Sequence, residues 1–171
     1  MKKKIQFRTL TEQDLPELAV ILSSELICQH TPFGPNTFQE TENYFKPLIK
    51  SQTDSKAYKN YIIAIVDNNR VIGNIGVFKK KENKNNYEIG YNLAEEYWNK
   101  GIMTKAVNRI CYILIEKKKA KKITATVMSS NLASLKVLEK NGFKMNQINF
   151  NTIEKNGCKY DEIMMQLTIL N

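Results

Sequence analysis

The chain has 171 residues, enough for about one domain around a single sizeable core. Its 26 Lys and Arg against 17 Asp and Glu leave a formal charge of +9, a balance suited to nucleic acid or to an anionic cofactor and acidic acceptors. No stretch approaches the roughly 20 apolar residues of a membrane span, and Met1-Lys2-Lys3-Lys4 turns polar at Gln6, Arg8 and Thr9 without the apolar segment of a signal peptide.

Ile5-Gln6-Phe7-Arg8 alternates apolar and polar residues and reads as a short strand. Thr11-Glu12-Gln13-Asp14 fits a capping box, and Leu15, Leu18, Ala19 and Leu22 then recur on one helical face. Thr31-Pro32-Phe33-Gly34-Pro35-Asn36 breaks that helix. A second helix is expected from about Phe38 to Ile49, interrupted by Pro47 and followed by a polar linker around Ser51 to Ser55. The chain then turns to strands. Tyr61 to Val66 is an almost continuous apolar run, as in a sheet covered on both faces. Asp67-Asn68-Asn69 makes a turn and Val71 to Phe78 returns as its hairpin partner. After a second turn at Asn83 to Asn86, Tyr87 to Leu93 forms the next strand.

The helix after Gly101 places Ile102, Ala106, Val107, Ile110, Ile113 and Leu114 on one stripe, with Lys105, Asn108 and Arg109 outside. Ile123 to Met128 is a β-branched strand. Asn131 to Lys140 is the final helix, closed by Asn141-Gly142, residues that suit a left-handed cap. Phe143 to Asn151 and Cys158 to Ile169 pair around the turn Glu154-Lys155-Asn156-Gly157. The order β-α-α-β-β-β-α-β-α-β-β, without repeats or a domain boundary over residues 1–171, is an α/β (α+β) domain with a mixed sheet.

Two segments carry chemistry. From Glu88 to Thr104 a strand leads through a loop with one glycine directly onto a helix. Unpaired N–H groups at a helix start sit at the positive end of its dipole, which suits phosphate. Gly101 lets the backbone approach an anion without a Cβ in the way, and the Thr104 hydroxyl adds a donor. There is no G-x-G-x-x-G, and Lys100-Gly101 reverses the order of a G-K-[ST] loop. The second segment is Asn131-Leu132-Ala133-Ser134, a helix opening at an Asn N-cap.

Together with Asn141-Gly142-Phe143, these segments resemble the cofactor-binding core of the GNAT superfamily of acetyl-CoA-dependent N-acetyltransferases. Tyr97-Trp98-Asn99-Lys100-Gly101-Ile102-Met103-Thr104 is closest to the Tyr-Trp-Gly-Lys-Gly-x-x-Thr of the ribosomal-protein-alanine N-acetyltransferase branch. Asn99 replaces that branch's extra glycine, and asparagine tolerates positive φ better than most residues. Asn131-x-x-Ser134 and Glu139-Lys140-x-Gly142-Phe143 also follow the branch. The resemblance implies a strongly twisted mixed sheet with helices on both faces, and two strands, Tyr87–Leu93 and Ile123–Met128, that splay to admit acetyl-CoA. It implies pyrophosphate at Trp98, Asn99, Lys100, Gly101, Ile102, Met103 and Thr104, and pantetheine on the main chain of Tyr91 and Leu93 and on Asn131. Ser134 is then the proton donor to the leaving thiolate, because Leu138 stands where many relatives carry a tyrosine acid.

An acceptor amine must be neutral to attack, which is easier for an α-amine, pKa near 8, than for a lysine near 10.4. Glu88 and Glu154 are the candidate bases that the resemblance implies. Glu95 and Glu96 would oppose pyrophosphate and are read as solvent-facing. His30, the one histidine, lies in a loop that could line an acceptor pocket. Cys111, mid-helix beside an apolar stripe, reads as core, which favours direct transfer in a ternary complex over an acetyl-cysteine. Cys28, Cys111 and Cys158, odd in number and far apart, argue for reduced thiols in a cytoplasm and against structural zinc.

Acetyl transfer to a protein N-terminal amine leads this reading. Its rivals are a small-molecule N-acetyltransferase acting on a polyamine, amino sugar or antibiotic, and a non-catalytic acetyl-CoA-sensing or nucleic-acid-binding module. The lysine runs Lys79–Lys81 and Lys117–Lys122 lack an aromatic platform or a recognition helix, which argues for solvated surface rather than a nucleic-acid partner. Sequence leaves monomer and homodimer open.

Overall fold

The computed structural model describes residues 5–53, 60–81 and 83–169. Seven strands form one sheet in the order β1-β2-β3-β4-β5-β7-β6: β1 Gln6–Thr9, β2 Tyr61–Asp67, β3 Arg70–Lys79, β4 Asn86–Leu93, β5 Lys122–Met128, β6 Lys144–Lys155 and β7 Cys158–Thr168. All neighbours run antiparallel except β4 and β5, so the sheet is mixed. The helices are α1 Leu15–Leu22, α2 Glu25–Cys28, α3 Phe38–Thr53, α4 Ile102–Lys118 and α5 Leu132–Glu139.

The sheet is covered on both faces because its central strands are apolar on both. On β2, Ile62, Ala64 and Val66 pack with Leu15, Leu18 and Leu22 of α1 and Phe45 of α3, while Ile65 joins the core under α4. Two-residue turns set the hairpin registers. Asn68 and Asn69 take φ of 49° and 64°, and Asn156 and Gly157 take 52° and 73°, matching the right-handed twist of paired strands. Among the described residues no helix is long and apolar enough to cross a membrane. Cys28, Cys111 and Cys158 are all unpaired.

Three local expectations need correction. The first long helix ends at Leu22, and the short α2 follows before the Thr31–Asn36 break. Pro47 does not interrupt α3, which runs on to Thr53. Proline removes one N–H from the ladder, but burying Thr41 and Phe45, with Leu48 and Ile49 against the same core, holds the helix together. The expected linker is therefore helical over 51–53, and its Asp54 and Ser55 lie outside the described residues. On α4 the buried stripe is Met103, Ala106, Val107, Ile110, Cys111 and Leu114, and Ile113 is exposed. The helix is rotated from the expected phase because Met103 and Cys111, not Ile113, fall in line with Ala106, Val107, Ile110 and Leu114 against the sheet.

Both lysine runs gather at one end of the molecule. The N–H of Lys121 donates to the Asn85 carbonyl at 2.8 Å, which joins the β3–β4 turn to the start of β5.

Candidate active site

The site begins where β4 leaves β5. Their parallel ladder holds only Asn86–Lys122, Tyr87–Ile123 and Glu88–Thr124, whereas β5 stays paired with β7 as far as Met128. Beyond Glu88 the strands diverge. The N–H of Ala94 bonds the Ile72 carbonyl of β3, and antiparallel hydrogen-bonding direction alternates along a strand. Tyr91 and Leu93 therefore turn their main-chain groups into the gap. The Trp98 indole N–H already donates to the Leu93 carbonyl at 2.8 Å, leaving that oxygen one lone pair.

A one-turn 3₁₀ segment, Glu95–Tyr97, carries the chain from β4 to α4. It is pinned from outside: the Tyr97 hydroxyl donates to Asp67 Oδ2 at 3.0 Å, and the Ser24 hydroxyl bonds Glu95. Burial, with the Asp67 contact adding to it, pushes the Tyr97 phenol up. Asn99 takes φ of 57° and Gly101 φ of 70°, so both supply the left-handed backbone that folds the loop onto the helix start. Gly101 is the N-cap of α4 and provides no side-chain cap, the first turn holds no acidic residue, and a Cβ built on Gly101 would meet nothing within 4 Å. The first amides of α4 thus face open space at the positive end of the helix. This cradle, which a side chain would fill, fits a pyrophosphate.

A cavity of about 380 Å³ extends from this cradle, lined by Trp98, Asn99, Gly101, Ile102, Met103 and Thr104 on one side and by Asn131, Ser134, Lys136 and Lys140 on the other. Lys100 is not in the lining; its ammonium bonds the Glu96 carbonyl and lies 5.4 Å from the Tyr97 ring centre. Lys136 and Lys140 were missed in the sequence. Their i,i+4 spacing on the helix that opens at Asn131 was the available signal.

A second cavity, of about 530 Å³, adjoins the first at His30, Thr31, Tyr91, Asn92, Asn131 and Ser134. Asn131 caps α5, its Oδ1 accepting the Ser134 N–H at 3.0 Å, while its Nδ2 donates to the His30 carbonyl at 3.2 Å. The hydroxyl of the partly buried Tyr91 donates to the Ser134 carbonyl at 3.2 Å, and burial raises its pKa well above the ordinary phenol range. These bonds fix the first turn of α5, and with it the Ser134 main chain, beside the gap.

Glu88 lines the second cavity and is ion-paired with Lys80. Glu154 is exposed on β6 opposite Lys159, and the fold does not bring it to either cavity. Glu40 of α3 and Glu162 of β7 do line the second cavity, and sequence reasoning passed over both. Glu162 sits opposite Met128 in the β5–β7 ladder, a position set by long-range register. Glu95 and Glu96 are exposed, as expected. Cys111 is buried in α4, and burial pushes its thiol up to about 12.

The model of the acetyltransferase (GNAT) domain matches residues 4–144. An uncharacterized N-acetyltransferase of Bacillus subtilis (strain 168), YjdG, is 28% identical over 113 residues, covering 66% of this chain and 67% of that protein. The structure of RimL, a ribosomal L7/L12 α-N-protein acetyltransferase, in complex with coenzyme A superposes with a TM-score of 0.84 at 18% identity, covering 99% and 96% of the two chains. A spermidine N-acetyltransferase from Vibrio cholerae, in complex with CoA and spermine, gives 0.81 at 19% identity over 96% and 95%. At these identities the structural likeness concerns the fold.

Proposed function

Because the chain belongs to the GNAT acetyltransferase family, we propose that it transfers the acetyl group of acetyl-CoA directly to a primary amine, a protein N-terminal α-amine first among acceptors. One observation carries this reading. The anion cradle with its cavity and the second cavity meet at Tyr91, Asn92, Asn131 and Ser134, where β4 parts from β5. A donor held in one and an acceptor in the other have their reacting groups at that junction, and such positioning is the main source of catalysis in a ternary complex.

Acetyl-CoA supplies an activated thioester. The amides of Ile102, Met103 and Thr104 hold its pyrophosphate, with Lys136 and Lys140 on the facing wall. The main-chain groups of Tyr91 and Leu93 hold its pantetheine arm, the second through the lone pair that Trp98 leaves unused. Asn131 is committed to Ser134 and His30, so it shapes the arm's path through the turn it caps. Glu88 takes the proton from the acceptor ammonium. As the neutral amine forms the C–N bond and the C–S bond breaks, the Ser134 hydroxyl donates its proton at the sulfur and takes one from the new amide nitrogen. A high-pKa, buried Cys111 supports direct transfer, because the thiolate is the nucleophilic form of cysteine. The unpaired cysteines support a cytoplasmic setting.

A small cationic amine is the second reading. Among the described residues the second cavity is lined by Glu40, Glu88 and Glu162 and by no lysine or arginine. Proteins of similar fold serve both kinds of acceptor, a ribosomal protein N-terminus for RimL and spermidine for the Vibrio enzyme. A panel of N-terminal peptides, polyamines and aminoglycosides with acetyl-CoA, read by free-thiol release, decides between them. Release with peptides and not polyamines is expected; release with neither above background hydrolysis would overturn amine acetylation.

A further inference from the structure

We propose that Lys155 is a specificity-determining positioning residue, whose ammonium holds the Thr31–Gly34 segment in place as a wall of the acceptor cavity. This rests on the reading of the 530 Å³ cavity as the acceptor site. Lys155 Nζ lies 3.0 Å from the Thr31 carbonyl, 2.9 Å from that of Phe33 and 3.0 Å from that of Gly34. A lysine ammonium has three N–H donors and no acceptor, so these bonds use it completely. Each is charge-assisted and stronger than a bond between neutral groups.

The anchor is stiff and the tethered segment is not regular structure. Lys155 ends β6, opposite Cys158 and next to the tight Asn156–Gly157 turn, whereas residues 29–37 lie between α2 and α3 with no ladder of their own. Thr31, Pro32, Phe33 and Asn36 line the acceptor cavity, and Phe33 is 46% exposed, an aromatic edge presented to whatever enters. The preceding residue is held separately: His30 Nδ1 is 3.2 Å from the Ser130 hydroxyl, and its carbonyl accepts from Asn131. The two sets of bonds divide the work. Ser130 and Asn131 fix His30, at the junction of the two cavities, while Lys155 fixes Thr31, which also stands at that junction, and Phe33, which lines the acceptor cavity alone. Cys28, buried behind Gly34, bonds the Leu22 carbonyl at 3.3 Å and backs the same wall.

Lys155→Met keeps the apolar stem and removes all three donors. For whichever amine the wild-type enzyme accepts, we expect its KM to rise at least tenfold, with kcat and the KM for acetyl-CoA within twofold. Lys155→Arg, which restores a cation and its donors, should recover at least threefold of that loss. Hydrogen exchange at the amides of Thr31, Phe33, Gly34 and Asn36 should quicken at least tenfold in Lys155→Met, with that of β5 unchanged. An unchanged acceptor KM alongside faster exchange would overturn the specificity role. Unchanged exchange would overturn the tether, and a parallel loss for acetyl-CoA would make Lys155 a support of the whole fold instead. Should the wild-type enzyme acetylate no amine, the acceptor reading fails, and exchange alone then decides whether Lys155 holds the wall.

Discussion

Gly101→Ala tests the anion cradle, and Gly157→Ala is a control that the fold itself provides. Both glycines hold left-handed backbone, with φ of 70° and 73°, and at neither would an added Cβ come within 4 Å of another atom. Only the torsional cost remains, about 1–2 kcal/mol for an L-residue in that region. At about 2–4 °C per kcal/mol for a domain of this size, each variant should lose on the order of 2–8 °C of Tm. The two losses should match. What differs is the space the methyl group enters: beyond a hairpin turn at Gly157, and over the first amides of α4 at Gly101. Calorimetric titration with acetyl-CoA should then show affinity at least tenfold weaker in Gly101→Ala, about 1.4 kcal/mol, and within twofold of wild type in Gly157→Ala. Wild-type affinity in Gly101→Ala would refute the cradle, and equal losses in both variants would trace the effect to stability.

Ser134→Ala should lower kcat at least tenfold with little change in the KM for acetyl-CoA, since proton donation at sulfur matters mainly in the transition state; a change in kcat of less than threefold would reduce Ser134 to a helix residue. Glu88→Gln should push the rising limb of the pH–rate profile toward the acceptor's own pKa, and the exposed Glu154→Gln should leave it in place; the reverse pattern would reassign the base. Burial alone would raise the pKa of Asp14, but the bonds from Arg8 at 2.6 and 2.7 Å and from Thr11 outweigh it and hold the carboxyl below its ordinary 3.8. That stabilisation is present above about pH 4 and is lost as the pH falls through the folded value, so Asp14→Asn should flatten the acid limb of urea stability, and an unchanged slope would rule the pair out as its source.

What sequence revealed was what is local. The loop from Trp98 to Thr104 is contiguous and its special backbone is written in two residues, so Asn99 at positive φ and Gly101 at the helix start are legible in the sequence. The same holds for the Asn131 cap and for the apolar strands. The acceptor cavity is different. Its carboxylates come from α3, β4 and β7; around Glu40 the sequence signals only a capping box with Thr37, and nothing near Glu162 sets it apart from a solvated side chain. Only the register that sets Glu162 against Met128, and the packing that lays α3 over β2, bring them to one space. Glu154 shows the converse: Ile153 beside it is buried and lines the cavity, but alternation along β6 turns Glu154 to the exposed face. The phase of α4 failed for a smaller reason: Ile113 is as hydrophobic as its neighbours, and only contact with the sheet separates the buried stripe from the exposed one.

The formal charge of +9 invites a conclusion about the acceptor that the arrangement of charges does not support. A basic protein should repel a cationic substrate only if its lysines act at the site. Lys117, Lys118, Lys119, Lys121 and Lys122 lie at or before the start of β5, and Ala125, the first residue of that strand to line the acceptor cavity, follows Lys122 by three residues. At about 3.3 Å per residue the nearest separation is about 10 Å along the strand, beyond the roughly 8 Å Debye length of physiological salt. Lys80, from the other run, is paired with Glu88, which lines the cavity. Lys155 is spent on three carbonyls, and Lys136 and Lys140 face the donor side. The charged side chains described in the lining of that cavity are Glu40, Glu88 and Glu162, with the Lys80 ammonium paired to Glu88 and the Lys155 ammonium behind the Thr31–Gly34 wall. On the proposed function a cationic amine would meet those carboxylates, while anionic acetyl-CoA would meet Lys136, Lys140 and the N-terminus of α4 on the far side of Tyr91 and Ser134.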